Sequence, residues 1–517
     1  MPKRRSASKF KIRQPSRELL AVFLLILGLA VSLAWVSTRF SGFYGWFSFL
    51  AVFILAALLF GLTWRVLRQE RPPHWLFFLT LSAMLLRLGL GVVWFLTLPA
   101  GGYDTEVQEA GYVMEDAYNR DRAAWELAQS SQPLTEAFHG YSASDQYGGL
   151  LFLSAAIYRY LGGGRHQPLL MLTLAATVSG VAVAFIWAFA RRVWGDRVAW
   201  LAAWGLAVYP EAALLGSSQM REAFGVCLIS MALYGLLRFK KQKISANFYL
   251  LVVPLLLALP LSWSFFSSLV MLSALAYLAL DEWRLMRKPF VLASLALFAV
   301  LALVLIFLFV DLEKIWLVQS ANWQTYVSAN ASGWVAREFE RLPLWGQVPF
   351  LVAYGIFRPL LPAALIAGGP PIWAIIGIWR ALGWTVLLAM LFYATYLVFR
   401  SKVWALLPGA LLLSTWIVIF TASYRGGGDL WDNPRYRSAF AGVQVALAAW
   451  AWVRHKELGD PWLRRAFVGT LLMMAWFIPW YLRRYAVFEW PIVELQQVIG
   501  LGLASTALYV LWDWVGS

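Results

Sequence analysis

The chain has 517 residues, of which 61% are hydrophobic and only 14% are charged, and its formal net charge is +16. Its mean hydropathy of +0.65 excludes a soluble enzyme or binding module of this length. The single cysteine excludes a disulfide framework. The four histidines are scattered without the spacing of a zinc motif, so no histidine-built zinc site is expected.

Apolar runs long enough to cross a bilayer recur along the whole chain. They predict an all-α, polytopic membrane protein with about fourteen transmembrane helices. The predicted spans are residues 18–37, 46–66, 75–98, 168–190, 198–214, 223–237, 247–263, 265–280, 289–310, 381–399, 403–421, 437–453, 465–481 and 490–512. The apolar segment 148–161 is too short to span and is predicted to lie in the interface. The proline-broken segment 347–380 is predicted to be interfacial or re-entrant.

Four regions follow from this pattern. Residues 1–74 hold a basic tail and two N-terminal spans, and residues 75–310 form a transmembrane core that includes the loop 99–147. Residues 311–380 combine an external loop with the broken segment, and residues 381–517 form the C-terminal transmembrane helices.

Lys and Arg concentrate in the N-terminal tail and in the short loops on one side of the predicted bundle. This bias predicts that both termini are cytoplasmic and that loops 99–147, 209–222, 311–346 and 422–436 are external. The positive charge then reflects topology and attraction to membrane lipids, and no nucleic-acid partner is expected. Arg483 and Arg484 are an exception, because they would lie outside. No cleavable signal peptide is expected, since a full span begins at Leu19 without a small-residue cleavage site.

The external loop 99–147 holds the first candidate catalytic residue. It is too long for a simple connection and carries nine acidic residues, which indicates a functional loop. A helix predicted within 107–128 would frame a cavity. Asp104, next to Tyr103, stands where the preceding span ends. The residues alone leave Asp104 open between a catalytic carboxylate and an acid that solvates the loop.

Arginines near a later predicted span indicate a phosphate site. Arg435 and Arg437 stand at the head of the span at 437–453 on the external side, against the positive-inside bias. Arginine forks bind phosphate in bidentate fashion and stay charged. The alternative is an interfacial ion pair of Arg435 with Asp432 or Asp429. Arg358, in a Phe-Arg-Pro sequence, is a further external cation.

Several motifs in order resemble a known family of membrane enzymes. These are Ala-Ala-Ile-Tyr-Arg-Tyr-Leu-Gly, then Ala-Arg-Arg-Val-Trp-Gly-Asp-Arg, then Tyr-Pro-Glu followed by Ser-Ser-Gln-Met-Arg-Glu, and finally Asn-Pro-Arg-Tyr-Arg. Over residues 75–240 the first three motifs resemble the bacterial GT-C glycosyltransferases that use polyprenyl-phosphate sugars, such as protein O-mannosyltransferases and lipid A aminoarabinose transferases. Asn-Pro-Arg-Tyr-Arg is similar to the Arg-Tyr element before one of their later spans. The tandem Glu115-Asp116 reverses the family's acidic pair, which leaves the identity of the base open.

The resemblance implies transfer of a hexosyl or pentosyl group from a polyprenyl-phosphate or diphosphate donor to a glycan, lipid or protein acceptor. It implies Asp104 as the base and Glu222 as a second acid in the same cavity, with Glu211 as the alternative. Arg435 or Arg437 would hold the phosphate, helped by Arg221 or Arg358, and Tyr103 would contact substrate.

The resemblance further implies direct displacement with inversion at the external face of a bacterial plasma membrane. No metal site is predicted, although a divalent ion, Mg or Mn, held by Glu222 and Asp104 is compatible with the set. The competing interpretation is a transporter or flippase of lipid-linked or polysaccharide substrates, for which charges within the spans and matching broken helices would be expected.

Overall fold

The computed structural model describes residues 17–516 except 142, 243–244, 282, 285–287, 290–332, 405, 427–430, 432, 486, 488 and 493. Within these ranges the fold is helical and contains no β-strand. The α-helices are α1 (Arg17–Ser37), α2 (Trp46–Leu67), α3 (His74–Gly101), α4 (Glu106–Glu109), α5 (Glu115–Gln129), α6 (Gly149–Leu161), α7 (Pro168–Trp194), α8 (Asp196–Val208), α9 (Pro210–Gly216), α10 (Arg221–Lys241), α11 (Ser245–Leu261), α12 (Trp263–Leu280), α13 (Gly333–Arg341), α14 (Leu344–Phe357), α15 (Leu361–Ile366), α16 (Pro371–Arg400), α17 (Leu407–Gly426), α18 (Ala441–Leu458), α19 (Trp462–Arg484) and α20 (Leu495–Val515). Short 3₁₀ helices lie at Arg68–Glu70, Leu134–Phe138 and Asn433–Phe440.

Nine helices in the described ranges are long and apolar enough to cross a membrane, or up to ten if α8 and α9 together form one span. They are α2, extended by its 3₁₀ turn, α3, α7, α10, α12, α16, α17, α19 and α20. The predicted class, an all-α polytopic membrane protein, is therefore confirmed. The number fourteen stays a prediction, and most of the predicted span 289–310 lies outside the described residues.

Helix α7 forms the centre of the bundle. It packs against α2, α3, α8 and α10, and almost all of its membrane-crossing stretch is buried inside the protein. Small residues allow the close approach of α3: a Cβ on Gly180 would lie 2.3 Å from Cγ and 2.9 Å from the backbone nitrogen of Met84. Small residues at such contacts let the backbones of packed membrane helices approach closely.

The predicted span 198–214 is broken. Helices α8 and α9 meet at Tyr209-Pro210 with a bend of 52°. Pro210 has no N–H to donate to the carbonyl of Leu206. The buried guanidinium of Arg87 replaces that donor: its Nη2 lies 3.0 Å from the Leu206 oxygen and its Nη1 lies 3.2 Å from the Ala207 oxygen. Its Nε donates to Ser179 Oγ at 2.9 Å, so the break is capped by a side chain from α3.

Two further elements differ from the predicted bounds. Helix α16 begins at Pro371, ten residues before the predicted span, and crosses residue 380, where the sequence indicated a boundary. A proline at the first helical position favours this earlier start. The helix predicted within 107–128 is divided into α4 and α5 by a turn at Gly111. Gly111 has φ +87°, and a Cβ there would lie 2.9 Å from the Phe95 Cα of α3.

The two ends of the bundle are named for the charges of their loops. The end that holds loop 99–147 is called the acidic side. At the other end, the basic side, the Glu70 carboxylate accepts hydrogen bonds from Arg192 Nε and Tyr234 Oη, both at 2.8 Å. Helix α10 runs between the two, from Arg221 to Lys241. Which side faces the cytoplasm stays a prediction.

Arg483 and Arg484, the exceptions to the positive-inside bias, lie at the end of α19 on the acidic side. Helix α19 begins on the basic side, where Arg465 Nε lies 2.8 Å from the Asp513 carboxylate of α20. At its other end the Arg484 guanidinium lies 4.1 Å from the ring centre of Trp480 and 5.4 Å from that of Trp334. Aromatic faces stabilise a cation at this depth, which accounts for a positive charge on this side.

Candidate active site

A cavity of about 1070 Å³ opens on the acidic side of the bundle. Loop residues before α6, the first turns of α5 and α10, the ends of α11, α12 and α17, and the 3₁₀ segment after residue 433 contribute to its wall. This volume exceeds that of a typical pocket for a small ligand, which is about 300–1,000 Å³. The cavity therefore has room for more than one substrate group.

Three carboxylates line this cavity from helix N-terminal turns, where negative charge is favoured: Glu115 and Asp116 on α5 and Glu222 on α10. Glu222 belongs to the first turn of α10 and is 9% exposed. Its Oε1 lies 4.0 Å from Arg435 Nε, and its buried Oε2 has no hydrogen-bond partner within the described part of the chain. Asp116, in the first turn of α5, accepts a hydrogen bond of 2.5 Å from Arg435 Nη2.

The charge around Asp116 is strongly positive. Burial opposes ionisation of its carboxyl, but the nearby Arg435, Arg120 and Arg221 outweigh that effect, so the pKa of Asp116 lies below its ordinary value. Asp116 is therefore a carboxylate at neutral pH.

Four arginines give the cavity its positive charge: Arg120, Arg221, Arg425 and Arg435. Arg120 is buried and donates from Nη2 to the backbone oxygen of Gln219 at 2.6 Å. The Arg221 guanidinium lies 5.1 Å from the ring centre of Tyr147 and 3.9 Å from Asp145 Oδ1. With Arg435 they form a cluster of planar guanidinium groups, the preferred protein ligand for phosphate oxygens.

An aromatic corner forms another part of the wall. The rings of Trp373 and Trp431 lie 4.7 Å apart at an interplanar angle of 76°. Gln108 Oε1 accepts hydrogen bonds from Trp373 Nε1 at 2.9 Å and from the Tyr103 backbone N–H at 2.5 Å. These bonds fix the orientation of the Gln108 amide.

The structure brings three of the predicted site residues together in this cavity: Arg221, Glu222 and Arg435. Asp104 is exposed and precedes Thr105, which lines the cavity, but Asp104 itself is not part of the wall. Tyr103 lies at the edge, with its ring 6.1 Å from that of Trp373. The role of Asp104 as base stays a prediction.

The other predicted residues have partners outside the cavity wall. Glu211 forms a buried, two-pronged ion pair with Arg380, at 2.7 and 2.8 Å. Arg437 is buried, donates to the backbone oxygens of Gly355 and Arg358, and lies over the Trp384 ring. The Arg358 guanidinium lies 5.5 Å from the ring centre of Tyr354.

Sequence reasoning missed several cavity residues. Arg120, Gln108, Trp373 and Trp431 line it without having been singled out. The spacing of Asp116 and Arg120, four residues apart on a helix, could have indicated a shared face. Among the described residues Arg435 pairs with Asp116 and Glu222, whereas the predicted partners Asp429 and Asp432 lie outside the described residues.

The described residues hold no group of three or more His, Cys, Asp or Glu side chains arranged to bind a metal ion. Glu222 and Asp104, the pair compatible with a divalent ion in the sequence, do not share the cavity wall. The structure therefore gives these two carboxylates no common metal site.

Fold and cavity define a polytopic membrane protein with a charged pocket at one end of its spans. The family model of dolichyl-phosphate-mannose-protein mannosyltransferases matches residues 151–309. This match confirms the predicted resemblance to the GT-C superfamily of membrane glycosyltransferases. No curated protein sequence matches the chain significantly.

Solved structures with a distant likeness include those of oligosaccharyltransferases from Archaeoglobus fulgidus. One is AglB in complex with an inhibitory peptide and a dolichol-phosphate, with 15% identity, a TM-score of 0.39 and coverage of 84% of this chain and 56% of that chain. Another, in complex with Zn and sulfate, has 16% identity, a TM-score of 0.36 and coverage of 82% and 53%. A third, tethered to an acceptor peptide, has 15% identity, a TM-score of 0.35 and coverage of 83% and 54%. The chain thus spans about half the length of the structures it matches.

Proposed function

We propose that this protein transfers a sugar from a polyprenyl-phosphate or diphosphate donor to an acceptor hydroxyl, on the external face of a bacterial plasma membrane. The observation that supports this most strongly is that a cluster of arginines shares the cavity with a buried carboxylate oxygen of Glu222 that has no partner among the described residues. The arginines match the charge of a lipid phosphate. An unpartnered buried acceptor atom is costly unless a ligand satisfies it.

In the proposed reaction Glu222 accepts the proton of the acceptor hydroxyl as its oxygen attacks the anomeric carbon of the donor sugar. The bond from that carbon to the phosphate oxygen breaks, and its electron pair stays on the phosphate. Arg435, with Arg221 and Arg120, stabilises the charge that grows there. A single direct displacement inverts the anomeric configuration. Asp116 holds the Arg435 fork in place through the 2.5 Å hydrogen bond.

One experiment decides whether Asp104 or Glu222 is the general base. Purified protein in nanodiscs is incubated with a panel of polyprenyl-phosphate sugars and candidate acceptors, and transfer is followed by release of polyprenyl phosphate. We expect Glu222→Gln to lower kcat by about 10² to 10⁴, the usual contribution of a general base. Asp104→Asn should keep kcat within a few-fold of wild type, because the Asp104 side chain is exposed outside the cavity wall.

The reverse pattern, with loss in Asp104→Asn and full activity in Glu222→Gln, would assign the base to Asp104 as the sequence resemblance implies. Release of no polyprenyl phosphate from any donor, combined with donor movement between leaflets of a vesicle, would overturn the transferase and favour the flippase. Thermal unfolding of each variant controls for loss of fold.

A further inference from the structure

The cavity wall has an apolar part and an aromatic part, which different helices contribute. Leu261, Phe265 and Val418 form an apolar part on α11, α12 and α17. Val418 lies eight residues before the end of α17, which places it about 12 Å along the helix axis from that end. Trp373, in contrast, belongs to the first turn of α16. Val418 therefore takes the apolar part into the membrane on α17. Leu261 at the end of α11, Phe265 in the first turn of α12 and the aromatic corner all lie at the acidic end of the helices.

Buried contacts hold the aromatic corner in place. Arg380 Nη1 donates to the backbone oxygen of Trp431 at 3.0 Å, and its guanidinium lies 5.1 Å from the centre of the Trp431 ring. Both oxygens of Glu211 hold Arg380 from within the bundle. Glu211 is thus a positioning residue for the corner, acting through Arg380.

The chemistry of the corner fits a carbohydrate. The parts of the two indoles that line the cavity, beside the Trp431 face over which Arg380 lies, offer apolar surface for the C–H face of a sugar ring. The oxygen of Gln108 is occupied by Trp373 and Tyr103, and no acceptor for its amide nitrogen is found among the described residues. That N–H₂ group is the donor that a sugar hydroxyl or ring oxygen needs.

We propose that Trp373, Trp431 and Gln108 form the binding subsite of a carbohydrate acceptor, which rests on the proposed sugar transfer. The lipid carrier would occupy the apolar part and its phosphate the arginine cluster. The acceptor enters from the remaining, aromatic end of the same cavity. The acceptor hydroxyl thus belongs to a saccharide and not to a peptide or a membrane-embedded lipid.

The test compares Trp373→Ala with Trp373→Phe and with Trp263→Ala, an exposed tryptophan at the start of α12 that does not line the cavity. Binding of a panel of oligosaccharides to protein in nanodiscs is measured by saturation-transfer NMR, which needs no turnover. Binding should weaken about tenfold or more in Trp373→Ala, and stay near wild type in the other two variants. Glu211→Gln should weaken binding less, because its effect passes through Arg380.

Turnover separates this proposal from the proposed function. With an active donor, Trp373→Ala should raise KM for the saccharide acceptor while KM for the donor and the slow hydrolysis of donor without acceptor stay unchanged. Saccharide binding that depends on Trp373 in a protein that cleaves no donor would retain the subsite and overturn the transferase. A rise only in donor KM, transfer to peptides with unchanged KM, or saccharide binding indifferent to Trp373 would each overturn the subsite.

Discussion

Arg435 contacts a carboxylate on each of two helices, so its guanidinium has a fixed place in the cavity. Asp116 accepts one of its hydrogen bonds at 2.5 Å, and Glu222 lies 4.0 Å from its Nε. A donor phosphate would compete with these carboxylates for the same fork. The two acids therefore orient the arginine and also limit how tightly it binds an anion.

The Asp116 carboxyl gives a pH prediction. Its pKa is lowered, because the surrounding arginines outweigh burial. Its contribution to the ion pair is present above the ordinary pKa of about 4 and is lost only as the pH falls through the lower value of the folded protein. We therefore expect Asp116→Asn to change the donor KM by the same factor at every pH from about 5 to 8.

The direction of that change follows from the charge removed. Asp116→Asn frees the Arg435 fork for phosphate, so donor KM should fall about fivefold, while kcat falls because the fork is no longer oriented. Steady-state kinetics across the pH range measure both. A wild-type donor KM that approaches that of the Asn variant as the pH drops towards 5 would contradict the lowered pKa.

At the scale of single elements, length and apolar composition predicted most helices, but not where two of them break or begin. A hydropathy window averages over Pro210 and therefore joins α8 and α9, whereas the structure bends them by 52°. The early start of α16 depends on Pro371, a single residue at the helix terminus. Each feature depends on one proline, and the break depends also on the tertiary contact of Arg87. A sum over a window registers neither.

The capped break yields a prediction of its own. Arg87→Leu leaves the carbonyls of Leu206 and Ala207 without their donor, and each buried orphan costs about 1–3 kcal/mol. Pro210→Ala restores an N–H that can serve Leu206. We expect Arg87→Leu to lower stability clearly in the wild-type background and by less in the Pro210→Ala background. Chemical or thermal unfolding in detergent of the two single variants and the double variant measures this coupling.

Arg87→Lys is the matched control, since it keeps the charge but cannot supply the planar fork that reaches both carbonyls and Ser179. It should lie between wild type and Arg87→Leu. Equal destabilisation by Arg87→Leu in both backgrounds would show that Arg87 supports the fold by some means other than capping the break.

At the scale of the whole molecule, the sequence predicted the class of protein, the acidic loop and the presence of Arg221, Glu222 and Arg435 at one end of the bundle. It could not join them into one site with Asp116. Asp116 and Arg435 are hydrogen-bonded although 319 positions separate them, and only the packing of α5 against the start of the 3₁₀ segment decides that contact. The same limit applies to Trp373 and Trp431, which no local pattern marks as neighbours.

The orientation of the bundle in the membrane is also a prediction about the whole molecule. The single cysteine of the chain allows a simple test of it. Cys227 is its single cysteine and is buried, so Cys227→Ala gives a background without thiols. In that background Ser131→Cys places a thiol in the exposed turn after α5, and Gln242→Cys places one at the exposed end of α10 on the basic side. Because the basic loops predict a cytoplasmic face, a membrane-impermeant maleimide added to intact spheroplasts should label Ser131→Cys alone.

Permeabilised cells, in which both variants should react, are the control. Labelling of Gln242→Cys in intact spheroplasts would place the cavity on the cytoplasmic face, where a donor made in the cytoplasm could enter it without crossing the membrane.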